Sequence, residues 1–172
     1  MSKSSFDIID SFKKSIESTV KAIAKDANIS LIFGQKASPE KYNINLPDIS
    51  EKNYFSDKTI VRGESDSASL IKRFHNIEMH KEMKPPNGKS DKIFNKIEFL
   101  RCEILGSDQL PGVKKNLLKI DQINIKNALD KNENLSKDDT FKLILKNYIS
   151  NKRLPEDLFT ISDPIIKPLT KV

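Results

Sequence analysis

Phe6, Ile9, Phe12, Ile16, Val20 and Ile23 recur at three- and four-residue steps, so the chain opens on a helix with one apolar stripe. The spacing predicts a helix from Ser4 to about Ala27. Ser4-x-x-Asp7 has the form of a capping box, in which hydroxyl and carboxylate satisfy orphan amides at the helix start. Lys13, Lys14, Lys21 and Lys25 fall mostly off the stripe, and Asn28 is a reasonable stop. Only 5 glycines interrupt 172 residues, and long stretches lack proline, which favours helices over a sandwich of short strands.

Ile29 to Phe33 alternates well enough for a short strand closed by Gly34, and a lone strand needs a partner for its backbone groups. Tyr42 to Leu46 and Thr59 to Val61 are the two candidates. Gln35 to Lys58 otherwise reads as loop, since Pro39 and Pro47 discourage regular structure. Val61-Arg62-Gly63-Glu64-Ser65-Asp66-Ser67 reads as a polar turn, with Gly63 supplying an unusual backbone angle. A helix then starts near Ser65 or Asp66, buries Leu70, Ile71, Phe74 and Ile77, and ends before Pro85.

Ser90 is placed to cap the next helix, whose stripe is Ile93, Phe94, Ile97, Leu100, Ile104 and Leu105. Gly106 suits a left-handed residue that closes it. Val113, Leu117, Ile120 and Leu129 support a helix from Gly112 to about Leu129. A second capping box, Ser136 to Asp139, leads into Phe141, Ile144, Leu145, Tyr148 and Ile149. Periodicity ends after Pro155, and Thr160 to Val172 reads as an extended or disordered tail. The expected fold is mainly α: a bundle of about five helices over 1–150, with a short strand or hairpin near the N-terminus and a tail over 151–172.

One cysteine, Cys102, excludes an internal disulfide and fits a reducing compartment. Neither a secretory signal nor a membrane-spanning run is present, so a cytoplasmic location is expected and no membrane partner. The net charge of +6 could draw nucleic acid, and a basic helical nucleic-acid-binding module is the alternative reading. Nucleic acid remains the weaker choice, because no run of five basic residues concentrates the charge.

His75 and His80 invite a metal hypothesis, with Glu78 and Cys102 as helpers. Five residues along one helix is a rotation of about 140°, which points the rings to different sides. A site would need the helix to break between them, or ligands from another segment. Arg101 beside Cys102 could lower its pKa, but a packed thiol is the simpler reading. Glu98 and Arg101, three apart, can pair on one helical face, and with Glu103 they make too few groups for acid–base chemistry. Arg62 to Ser67 matches neither a phosphate loop nor a metal-ion adhesion site.

Val61-Arg62-Gly63, Asp66, His75, His80, Phe94, Glu98, Arg101, Glu103, Gly106, Gly112-Val113 and Asn116-Leu117 stand in one order and spacing. Phe12-Lys13-Lys14, Lys21-Ala22-Ile23-Ala24 and Phe33-Gly34 precede them. This string resembles the N-terminal region of the CobT subunit of aerobic cobaltochelatase, well from Phe12 to Leu118 and weakly to Ile149. The resemblance implies a part in ATP-dependent insertion of cobalt into a corrin ring. It implies two partners, an AAA+ ATPase subunit and a large corrin-binding subunit, with a homo-oligomeric ring as a further possibility. ATP, Mg and cobalt would be used by that complex, and no catalysis or cofactor is expected of this chain alone. Arg62, Gly63, Asp66, His75, His80, Glu98, Arg101, Glu103, Gly106, Gly112 and Asn116 would be organising or interface residues. The family's acidic linker and von Willebrand A-like domain have no match here, so a fragment, an isolated domain or a shortened relative is expected.

Overall fold

The computed structural model describes residues 5–39, 43–86, 88–130 and 137–150. Helix α1 (Ser5–Ala24) buries Ile16, Val20 and Ile23 of the expected stripe. Ser4 and Ser136, the hydroxyls of both capping boxes, lie outside the described residues, as does the tail. Strand β1 (Ser30–Phe33) runs parallel to β3 (Asn43–Leu46), and the two-residue β2 (Ser38–Pro39) pairs antiparallel to β3 on its other side. The alternative strand, Thr59 to Val61, is helical instead. Gly34, at φ +92°, turns the chain out of β1, and its amide and that of Gln35 both donate to the Leu46 carbonyl. Pro39 lacks an amide and sits where it does least harm, on an edge strand.

Helix α2 (Tyr54–Phe74) is the axis of the fold, packed against α1, β2, β3 and two later helices. It corrects two readings. The stretch from Val61 to Ser67 is mid-helix, not a turn, so the helix starts at Tyr54 rather than near Ser65. Gly63 has no positive φ; among the described residues only Gly34 and Lys25 do. Its value is closeness, since an added Cβ would lie 2.6 Å from Ile120 Cγ1 and 3.1 Å from the Asn116 carbonyl. Neighbours crowd α2 on several sides, so its buried residues include Gly63, Ser65, Ala68 and Ser69. Ser65 and Ser69 satisfy their hydroxyls on the carbonyls of Arg62 and Ser65, at 2.8 and 2.6 Å.

The helix does not run on towards Pro85. It stops at Phe74, and a short α3 (Ile77–Glu82) follows. Helices α4 (Gly88–Gln109), α5 (Pro111–Asp130) and α6 (Lys137–Ser150) complete six helices among the described residues, so the protein is mainly α. Gly106 does not end α4 in a left-handed turn; it lies inside the helix against Leu70 of α2. The α4 stripe is also turned from its expected direction. Leu100 is buried, but Ile93, Ile97 and Leu105 are 50, 40 and 40% exposed, while Cys102 and Glu103 face inwards.

Candidate functional site

Two faces of α4 carry polar groups that fasten it to other helices. The first begins where α2 ends. His75 takes an extended backbone, and Asn76 starts α3 by accepting a bond from the Met79 amide at 3.0 Å. This break cancels the separation a continuous helix would impose, and the His75 and His80 rings meet edge to face at 4.7 Å. His75 Nδ1 lies 3.1 Å from Glu98 Oε1. Arg101 grips the same carboxylate with two donors, Nε at 2.7 Å and Nη2 at 2.6 Å. Its Nη2 also donates to the Phe74 carbonyl at 3.0 Å, satisfying an acceptor at the open end of α2. His80 stacks on Phe94, with centroids 4.6 Å apart, and its Nε2 lies 2.6 Å from Asn95 Oδ1.

Arg101 holds the Glu98 carboxyl down at about 2, from an ordinary 4.5; burial opposes the shift, and His75 adds to it. A carboxylate with a lowered folded pKa contributes stability above its unfolded pKa and loses it as pH falls through the folded one. Discounted for the half-exposed guanidinium, that contribution is about 2 kcal/mol. Glu98→Gln is expected to remove it at neutral pH and to flatten the stability curve between pH 4.5 and about 2. Urea unfolding across that range reads it; a variant curve parallel to the parent's would refute the assignment. Cys102, one turn on, is fully buried. Burial and the Glu98 charge push its thiol up to about 12, so it stays protonated and acts as packing.

The second face centres on Glu103, 4% exposed. Ser67 of α2 donates to its Oε1 at 2.6 Å, and Lys142 and Lys146 of α6 lie 3.1 and 3.3 Å from its two oxygens. Both lysines also face Asp121 of α5, at 3.9 and 2.8 Å. Burial alone would raise Glu103, but the two ammonium groups and the Ser67 bond more than offset it, leaving the carboxyl below its ordinary value. Helices α2, α4, α5 and α6 thus meet at one charge cluster.

The other singled-out residues lie along α2 and α5. Asp66, 2% exposed, accepts from Asn116 Nδ2 at 2.7 Å. Burial raises its pKa, against the bond from Asn116 and the charge of Arg62. Arg62 spreads its guanidinium over the Phe12 ring, 5.5 Å from the centroid. Gly112, in the first turn of α5, has open space where a side chain would sit. Beside Glu103 is a cleft of about 350 Å³, bounded by α2, α4, α6 and the β2 edge.

Among the described residues no group of three His, Cys, Asp or Glu side chains could hold a metal ion, and no helix is long and apolar enough to cross a membrane. The family model for cobalamin biosynthesis protein CobT matches residues 7–161. The chain belongs to the CobT family. Membership ties it to cobalamin biosynthesis. No solved structure matches it.

In this CobT-family fold, Ser67, Asn95, Asp121, Lys142 and Lys146 belong to the networks although sequence reading passed over them. Lys142 and Lys146, four apart, share a helical face, which is a signal of sorts. Nothing in the chain order marks Asp121 as their partner.

Proposed function

We propose that this chain is the non-catalytic docking and coupling component of an ATP-dependent cobaltochelatase in the cytoplasm. It would sit between an AAA+ ATPase subunit and a large corrin-binding subunit, with ATP, Mg and cobalt handled by those neighbours. A ring of copies of this chain is compatible with the role.

The supporting observation is an outward apolar row on α4, a helix that the polar networks fasten to its neighbours. Ile93 and Ile97 lie four apart on α4, and Ile77 and Met79 of α3, with Met83 just after it, are each more than half exposed. Exposed apolar groups gathered on adjacent helices mark contact surfaces, whereas scattered single ones mean little. Glu98, Arg101 and Glu103 tie α4 to α2 and α6 from its other sides. A displacement imposed on the row therefore moves α4 against charged contacts with two discrete partners, which is how a rigid element transmits a push.

Co-purification with the AAA+ and large subunits tests the reading. A complex is expected with the parent chain, together with at least about tenfold weaker assembly for Ile93→Asp/Ile97→Asp. Both positions are exposed, so the variant should keep the parent's circular dichroism. Full-length protein that joins neither subunit, or a variant that assembles as well as the parent, would end the proposal.

A further inference from the structure

We propose that the free edge of β1 joins two copies of this chain, pairing antiparallel with itself about a two-fold axis. The sheet runs in the order β1-β3-β2, so β1 and β2 are its edges. The β2 edge is short and carries Pro39, which has no amide to offer a further strand. The β1 edge has no such guard. Ser30-Leu31-Ile32-Phe33 contains neither a charge nor a proline, the devices that usually keep an open strand from finding a partner. Among the described elements only β3 runs alongside it.

The register fixes which backbone groups are free. The Gly34 amide donates to the Leu46 carbonyl at 3.0 Å, so it points at β3. Backbone groups alternate sides along a strand, so those of Ile32 point the same way, and Leu31 and Phe33 turn amide and carbonyl outwards. Among the described residues no backbone group outside the sheet bonds to them. Their side chains pack against the core cluster of Ile16, Ile44 and Leu46, so a joint at the edge asks nothing of those. Unpaired donors and acceptors in a row are a template for another strand.

The position of Ile32 selects a second copy as that strand. Leu31 and Phe33 stand on either side of it, so a two-fold axis through Ile32 sets Leu31 opposite Phe33 of the second copy, and the two exchange both hydrogen bonds. Ile32 then faces itself as a non-hydrogen-bonded pair, the arrangement in which side chains approach closest. It is 37% exposed and apolar, on a sheet face where Ser30, Asn43 and Asn45 are polar. Any extended segment could supply the backbone bonds, whereas a second copy also brings an isoleucine to the one apolar spot. Such a joint is isologous and closes on two copies, so it builds no ring by itself. It uses no residue of α3 or α4 and does not rest on the docking role.

The edge is short, so the dimer is weak, with a Kd expected on the order of 100 µM. Sedimentation equilibrium of the full chain over a wide concentration range should show monomer passing to dimer. Amide exchange at Leu31 and Phe33 should slow as the dimer forms. Ile32→Lys and Ile32→Glu place like charges opposite each other at the axis, and each should weaken the dimer about tenfold or more. Both change an exposed side chain, so the fold should survive. Mixed together, the two variants should pair again, because lysine then meets glutamate. Ile93→Asp/Ile97→Asp should dimerise as the parent does, which separates this joint from the docking row. A chain that stays monomeric throughout overturns the proposal, as does a dimer that Ile32→Lys leaves undiminished or one that forms without slowing exchange at Leu31 and Phe33. Failure of the mixed variants to pair overturns it too, and so does slowed exchange at the edge only on adding another protein.

Discussion

Replacing Glu103 by alanine is expected to cost about 3 kcal/mol of stability, the lower end of what breaking a buried ion pair costs. The carboxylate is 4% exposed and faces two lysines at 3.1 and 3.3 Å. Its loss leaves both ammonium groups in a partly desolvated site with Asp121 as the acid common to them. That remaining partner keeps the loss below the upper end. Glu103→Ala and Asp121→Ala should be strongly non-additive, because each single variant leaves the lysines one acid of this pair and the double leaves neither. Guanidinium unfolding of the four proteins completes the cycle. A single-variant loss below about 0.5 kcal/mol would place the cluster among surface pairs, which contribute little. The pH dependence has a definite sign. Since Glu103 is held below its ordinary value, its contribution is present above the unfolded carboxylate pKa and fades as pH falls through the folded one.

Gly106→Val should cost a comparable amount, about 3 kcal/mol, for a steric reason. A Cβ at this position would stand 2.6 Å from Leu70 Cδ1 and 2.8 Å from its Cγ, and Leu70 is fully buried. Gly106→Ala is the informative control. Alanine gains about 1 kcal/mol of helix propensity over glycine, while overpacking costs about 1–3 kcal/mol. The net loss for alanine should therefore be small, and the added branches of valine should make it large. Leu70→Ala in the Gly106→Val background should restore part of the loss, since the clash is with one side chain. No restoration would mean that the backbones themselves bar the approach.

Sequence pattern revealed the elements with a single apolar face. The stripe from Phe12 to Ile23 buries its later members in α1, and Val113, Leu117 and Ile120 of α5 are all buried. Pairing of β1 with the segment ending at Leu46 was one of two partners the pattern allowed. The sequence pattern starts central α2 half-way along, because crowding selects small and hydroxyl-bearing residues and leaves no large apolar period. Gly63 and Gly106 read as turn residues because glycine at a close crossing and glycine at a helix end look alike in one dimension. In α4 the apolar period marks a helix but not its buried direction, since Ile93 and Ile97 face outwards and a buried glutamate faces the bundle. The meeting of His75, Glu98 and Arg101 depended on a break at Asn76 that no proline or glycine announces.

Arg101 also makes the outer helix the keeper of the inner one. Its guanidinium closes the last exposed turn of α2, so drawing α4 outwards by about one hydrogen-bond length would uncap the central helix. Whatever grasps the isoleucines of α4 thus has leverage on the end of the central helix.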